Sequence, residues 1–235
     1  MAECTSTPTN SSLRLTAKVA IVTGGASGIG EATARVFAEQ GARMVVIADI
    51  QDDLVNRVAA SIGTHRCTYV HCDVADEEQV KYLVQTTVNA YVPPNRQYPN
   101  STCPNNCSRS TCIRGIAACV KHAARAILEG RVRGSIICTA SVVGSHGEPN
   151  ATNYIMSKHA VLGLMRSASV QLAEHGIRVN CCEGLGARGL PAVRETGRSG
   201  SHAQRRGRHR VVVSDDSAFI TGFDLIVDGG FKYGQ

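Results

Sequence analysis

Between residues 18 and 92 the chain repeats one pattern three times: a short β-branched run, then a longer run whose apolar residues recur at helical spacing. The short runs are KVAIVT (18–23), RMVVIAD (43–49) and RCTYVHCDV (66–74). They are largely apolar, as strands buried on both faces of a sheet are. The first is followed by a helical run with Ile29, Thr33, Val36 and Phe37 on one face and Gly41 as its stop. The second is followed by Leu54, Val55 and Val58, the third by Val80, Leu83, Val84 and Val88 with Asp76, Glu77 and Glu78 at the positive end of the helix. Units of this kind can bury their apolar faces only around a parallel sheet, so the expected fold is α/β, a Rossmann-like doubly wound parallel sheet in a single domain over 18–231. The pattern resumes with a helix through Ile113, Ile116, Val120, Ile127 and Leu128, a strand GSIICTAS (134–141), a long helix from Tyr154 to His175, a strand IRVNCC (177–182) and a last strand FDLIVDGG (223–230).

Two stretches break the rhythm. Residues 93–111 hold four prolines and four asparagines but no Val, Ile, Leu, Met or Phe, which predicts loop. Residues 183–210 carry seven Arg against two Glu, and the irregular segment is expected to span 183–213. The first seventeen residues are Ser- and Thr-rich without the apolar centre of a secretory signal, and are expected to be a disordered tail.

Composition narrows the function classes. The formal charge is +6, but the 183–210 segment supplies +5 of it, so no globally basic nucleic-acid surface is expected. No apolar run approaches the ~20 residues of a membrane span, and the expectation is a cytoplasmic chain that binds neither membrane nor nucleic acid. The ten cysteines are irregularly spaced and read as reduced thiols, with Cys67, Cys72 and Cys138 packing as small apolar side chains. Cys103, Cys107, Cys112, Cys119 and His122 lack the paired spacing of a zinc site, so no metal is expected.

The turn after the first strand reads T23-G-G-A-S-G-I-G30. Glycine lets a pyrophosphate approach the backbone, and the helix that follows offers free N–H groups and a positive dipole end. Asp49 closes the second strand nineteen residues after Gly30, near the ~20-residue offset of an acid that binds adenosine ribose hydroxyls. A carboxylate there repels a 2′-phosphate, and neither Ala26 nor Ile50 supplies a cation. The expected cofactor is NAD.

Taken in order, TGGASGIG, Asp49, C72-D-V74, Ser141 and Y154-x-x-x-K158 resemble the short-chain dehydrogenase/reductase family. Within it, the flanks GGASGIGEATAR, YVHCDVADEE, VKHAARA, SKHAVLGL and HGIRVNC are similar to plant alcohol dehydrogenases of the secoisolariciresinol dehydrogenase, xanthoxin dehydrogenase and momilactone A synthase type. The resemblance implies catalysis by Ser141, Tyr154 and Lys158. Lys158 would hold the nicotinamide ribose and, as a neighbouring cation, favour ionised Tyr154, the general base, while Ser141 binds the substrate oxygen. It also implies cofactor contacts from Gly24, Ser27, Gly28, Ile29, Gly30, Asp49, Asp73, Val74 and Lys158. The implied reaction is hydride transfer between NAD and a secondary alcohol or ketone of a small apolar metabolite, terpenoid, phenolic or lignan in type, in a homo-oligomer.

Two departures oppose it. The family places a strand where 93–111 lies, so the fourth strand is expected to be missing, and Cys112 stands where the family has a catalytic Asn. The family's substrate-covering loop falls on the basic segment. A catalytically impaired remnant that binds dinucleotide or partners without turnover is the alternative.

Overall fold

The computed structural model describes residues 13–92, 100–103, 109–147, 151–184 and 212–228. Seven parallel strands form one sheet: β1 (Val19–Thr23), β2 (Met44–Asp49), β3 (Cys67–His71), β4 (Asn100–Cys103), β5 (Gly134–Thr139), β6 (Ile177–Gly184) and β7 (Asp224–Val227). Their order is β3-β2-β1-β4-β5-β6-β7, so the chain runs outward from β1 to one edge, then returns and crosses to the other side. This is the doubly wound arrangement expected. The reversal falls between β1 and β4, where a crevice opens beyond the carboxyl ends of the strands.

Helices α1 (Gly28–Glu39), α2 (Asp52–Ile62), α3 (Glu77–Tyr91), α4 (Arg109–Glu129) and α5 (Thr152–Ala173) cover both faces. The period-2 alternation of the strands divides the core. Val46, Ala48, Ile136 and Cys138 pack with Leu83, Ile116, Ile127, Leu162 and Met165 of α3, α4 and α5. Val45, Ile47 and Ile137 face the other way, against Phe37 of α1, Val55 and Val58 of α2, and Val212 and Val213.

The strand expected to be missing is present. Asn100–Thr102 pair with Ala20–Val22 of β1, and Ser101–Cys103 pair with Ile136–Cys138 of β5. Sheet pairing joins backbone to backbone, and a slot flanked by two fixed strands leaves buried donors and acceptors that any proline-free extended stretch can satisfy. Apolar side chains are not required for that, which is why composition gave no sign of it. Segment 93–111 is therefore not uniformly irregular: 100–103 is strand and α4 begins at Arg109, while 93–99 and 104–108 lie outside the described residues.

The other irregular segment is also shorter than expected, since β6 continues through Glu183 and Gly184 and a helical turn has begun by Val212. Residues 185–211, which hold the Arg-rich run, lie outside the described residues. The disordered tail is corrected at its end: Leu15 is buried, its N–H donates to the Gln40 carbonyl, and Thr16 bridges to Ala42. An apolar residue just before the first strand is held there by the loop after α1. Residues 1–12 lie outside the described residues.

Polar side chains fasten the last part of the chain. Asn180, fully buried in β6, donates through Nδ2 to the Ile220 carbonyl at 2.9 Å and accepts at Oδ1 from the Phe223 N–H at 3.0 Å. Arg178 donates to the carbonyls of Val212, Val213 and Ser214 at 2.7–3.3 Å. Burial pulls the Arg178 guanidinium below its usual range, opposed by the nearby Asp215 carboxylate. Lys18 and Asp215 pair at 2.8 Å across the same end of the sheet.

Candidate active site

At the crevice, the turn after β1 presses its backbone onto β2. The Gly25 N–H donates to the Ala48 carbonyl at 3.2 Å, and a Cβ on Gly25 would stand 2.8 Å from Ile47 Cβ and 3.2 Å from the Val22 carbonyl oxygen. No side chain fits there. Gly24 and Gly28 take positive φ, 65° and 58°, which glycine adopts without the usual penalty. Beside Gly28 there is open space where a side chain would project.

Ser27 is the N-cap of α1, but its hydroxyl makes no capping hydrogen bond, so Gly28, Ile29 and Gly30 begin a helix whose leading N–H groups face that open turn. Asp49 is 8 % exposed. Its Oδ2 accepts from the Ala26 N–H at 3.1 Å, and its Oδ1 from the Ile50 and Gln51 N–H groups at 2.9 and 3.1 Å and from Gln51 Nε2 at 3.3 Å. Three main-chain donors hold the carboxylate against the glycine turn.

Asp73 and Val74 follow β3 but are engaged locally. Asp73 Oδ1 accepts from the Ala75 N–H at 2.9 Å, and its own N–H donates to Gln79 Oε1 at 2.9 Å. Val74 packs on α4, where a Cβ on Gly115 would meet Val74 Cγ2 at 2.8 Å.

The second half of the site is built from β5, α5 and the end of β6. Ser141 follows β5, is buried, and heads a 3₁₀ turn at Val142–Gly144 closed by a 2.7 Å bond from the Gly144 N–H to the Ser141 carbonyl. That turn rests on α5 and β6: a Cβ on Gly144 would lie 3.4 Å from the Lys158 carbonyl, 3.2 Å from Leu162 Cδ1 and 3.1 Å from Glu183 Oε1. On α5, Tyr154 and Lys158 share a face one turn apart, with Lys158 Nζ 5.4 Å from the Tyr154 ring centroid. Lys158 is 1 % exposed and Tyr154 39 %. The helix thus seals the cation inside and leaves the phenol at the opening.

The structure places Ser141, Tyr154 and Lys158 on one corner and Gly24, Ser27, Gly28, Ile29, Gly30 and Asp49 on the other, both beyond the carboxyl ends of the strands. Sequence reasoning missed three buried polar groups at this corner. Glu183 is fully buried at the end of β6, and period-2 counting from Val179 and Cys181 would have placed it inward. Thr139 Oγ1 and His146 Nδ1 are buried without a hydrogen-bond partner among the described residues, two residues before and five after Ser141. Among the described residues no group of three or more metal-binding side chains comes together, and no helix is long and apolar enough to cross a membrane.

A parallel sheet whose glycine turn, buried acid and Tyr–Lys helix converge on the switch point is the frame of a dinucleotide-dependent oxidoreductase. Residues 18–95 match the family model described as short chain dehydrogenase, and residues 108–232 the one described as Enoyl-(Acyl carrier protein) reductase. The chain belongs to the short-chain dehydrogenase/reductase family. It is 43% identical over 250 residues to (+)-cis,trans-nepetalactol synthase of Nepeta racemosa, with 92% of each chain covered. It is 44% identical over 252 residues to the mitochondrial (−)-isopiperitenol/(−)-carveol dehydrogenase of Mentha piperita, covering 93% of this chain and 95% of that one. Identity to secoisolariciresinol dehydrogenase of Forsythia intermedia is 37% over 255 residues, covering 93% and 90%. A crystal structure of a short-chain dehydrogenase/reductase from Mycobacterium marinum superposes with a TM-score of 0.85 at 28% identity, covering 94% of this chain and 97% of that one.

Proposed function

We propose that the chain is an NAD-dependent dehydrogenase or ketone reductase for a secondary alcohol on a small, mostly apolar metabolite, working as a homo-oligomer. The observation that carries this reading is the buried Lys158 ammonium set beside the half-open Tyr154 ring.

The residues present fit a dinucleotide. Open space beside Gly28, uncapped N–H groups at the start of α1 and a buried, main-chain-held Asp49 suit a pyrophosphate and an adenosine ribose. Asp49 has lone pairs beyond those its amide donors occupy, and the long contact from Gln51 Nε2 is the one that ribose hydroxyls would replace. Its fixed negative charge favours NAD over NADP. The local engagement of Asp73 and Val74 leaves them a lesser role, as the wall on which an adenine ring rests.

The dinucleotide, when bound, accepts hydride from an alcohol carbon or returns it to a carbonyl carbon. Tyr154 removes the hydroxyl proton during oxidation and gives it back during reduction. Lys158 supports the phenolate by its charge and would hold the nicotinamide ribose. Ser141 hydrogen-bonds the substrate oxygen and fixes its direction. The relatives named for nepetalactol and for isopiperitenol or carveol favour a terpenoid alcohol, with a lignan-type alcohol as the neighbouring class.

Cys112, standing where the family has Asn, favours a second reading, a dinucleotide-binding chain without turnover. One experiment separates them. Cyclic monoterpene and lignan alcohols are offered with NAD, and NADH formation is followed for wild type and Tyr154→Phe. The dehydrogenase reading expects turnover in wild type and a loss of about 10²–10⁴-fold in the variant. Wild type that binds NADH but turns over no alcohol or ketone in either direction supports the second reading.

A further inference from the structure

Asp49 shares its corner with a second polar pair. The pairing of β2 with β3 sets Asp49 opposite His71, and Cys67 and Tyr69 pack with Ile47, so strand alternation puts His71 on the same face of the sheet as Asp49. His71 Nδ1 lies 2.9 Å from Asp52 Oδ1 in the first turn of α2, and Gln51, between the two acids, reaches back to Asp49. The pair is half open, with both side chains 54% exposed.

The basic side chains nearest in the chain are engaged elsewhere. Arg57 donates to the Asp53 carbonyl, Arg35 pairs with Glu31 on α1, and Arg66 donates to the Ala38 carbonyl. Among the described residues, His71 is the basic group paired across the strands from Asp49, and Asp52 takes its Nδ1. The imidazole can donate that hydrogen bond whether neutral or protonated, and in the protonated form the carboxylate cancels its charge locally.

We propose that the Asp52–His71 pair is a second determinant of cofactor choice, rejecting a 2′-phosphate by adding a carboxylate to Asp49 and tying up a basic side chain that would otherwise welcome the phosphate. This rests on the reading that Asp49 receives the adenosine ribose. Asp49 meets the hydroxyls directly, and Asp52 acts at longer range on the dianionic phosphate that only NADP carries.

The test is a fluorescence titration of the full chain with NADH and NADPH at low ionic strength, for wild type, Asp52→Asn and His71→Arg. Removing one unit charge near a dianionic phosphate at a solvated surface changes its binding by up to roughly tenfold. Asp52→Asn is expected to tighten NADPH by about that factor and change NADH less than twofold. His71→Arg, which places a permanent cation there, is expected to narrow the NADH preference further, and added salt to shrink both effects. NADH binding with a ratio unmoved in both variants overturns this inference alone, leaving the pair a surface contact. Failure of wild type to bind NADH overturns the ribose reading and the inference with it.

Discussion

The two corners of the crevice are held by different means. At the corner proposed for the ribose, Asp49 is fixed by three N–H donors from the turn after β1 and from its own strand end, all between Ala26 and Gln51 in sequence. At the corner proposed for catalysis, Ser141, Lys158 and Glu183 come from the turn after β5, from α5 and from β6, and they gather about Gly144, whose N–H donates to the Ser141 carbonyl and which lies beside the Lys158 carbonyl and Glu183 Oε1. The first is a seat formed by main-chain donors. The second is an assembly of side chains from three elements, with a buried Lys158 inside it, and each of its parts depends on the others being in place.

The largest effect expected from this contrast is at the catalytic corner. Lys158→Met keeps the length of the side chain but removes the charge, and is expected to lower kcat/KM by at least about a hundredfold, ~3 kcal/mol of transition-state stabilisation. A variant that keeps kcat/KM within a few-fold of wild type would remove Lys158 from the chemistry, and the contrast between the corners would fail.

Asn180 tests whether the catalytic corner depends on distant fastening. Its two side-chain bonds hold the 220–223 turn against β6, four residues from the strand's active end. Asn180→Ala leaves the Ile220 carbonyl with only its 3.4 Å contact from Arg178 and takes the partner from the Phe223 N–H, and is expected to cost about 1–3 kcal/mol in denaturant unfolding. NADH affinity, seated at the other corner, should change less than activity does. Equal losses in both would show that the two corners unfold as one unit.

Gly25→Ala sharpens the other side of the comparison. The new Cβ would meet Ile47 Cβ at 2.8 Å and must push the glycine turn off β2, an overpacking strain of about 1–3 kcal/mol. Since the Ala26 N–H moves with it, NADH binding is expected to weaken more than kcat measured at saturating cofactor. A variant with lowered kcat and unchanged NADH affinity would place the strain at the wrong corner.

The same division explains what the sequence revealed. The geometry of the Asp49 corner was legible because it is built from local signals: a glycine turn, a helix start and an acid at a strand end. The Tyr154–Lys158 pair was legible because one helical turn brings i and i+4 together whatever surrounds them. What stayed hidden depended on partners far along the chain. Asn100–Cys103 is a strand only because β1 and β5 leave a slot, and Leu15 is buried only because the loop after α1 reaches it. Likewise His71 is informative only once β3 is registered against β2, since in the sequence it is one polar residue between an apolar run and an Asp.

The smallest effect lies away from both corners, on the strand that carries His71. Burial pushes the Cys67 thiol up to about 12, with nearby Arg35 opposing the rise. A thiol whose folded value is raised stays protonated in the native state while the unfolded chain, with an ordinary value near ~8.5, releases its proton. Stability from this site is therefore intact below about pH 8.5 and falls as the pH climbs toward 12, by at most ~1.4 kcal/mol per pH unit. Cys181, raised by burial and then by neighbouring Cys138 and Asp224, adds a second contribution of the same sign. Cys67→Val fills the same buried space without a proton to lose, so its unfolding free energy should decline less steeply than wild type between pH 8.5 and 10. Parallel declines in the two proteins would mean that the Cys67 thiol ionises alike in both states, and that this edge of the sheet is wetter than its 1% exposure indicates.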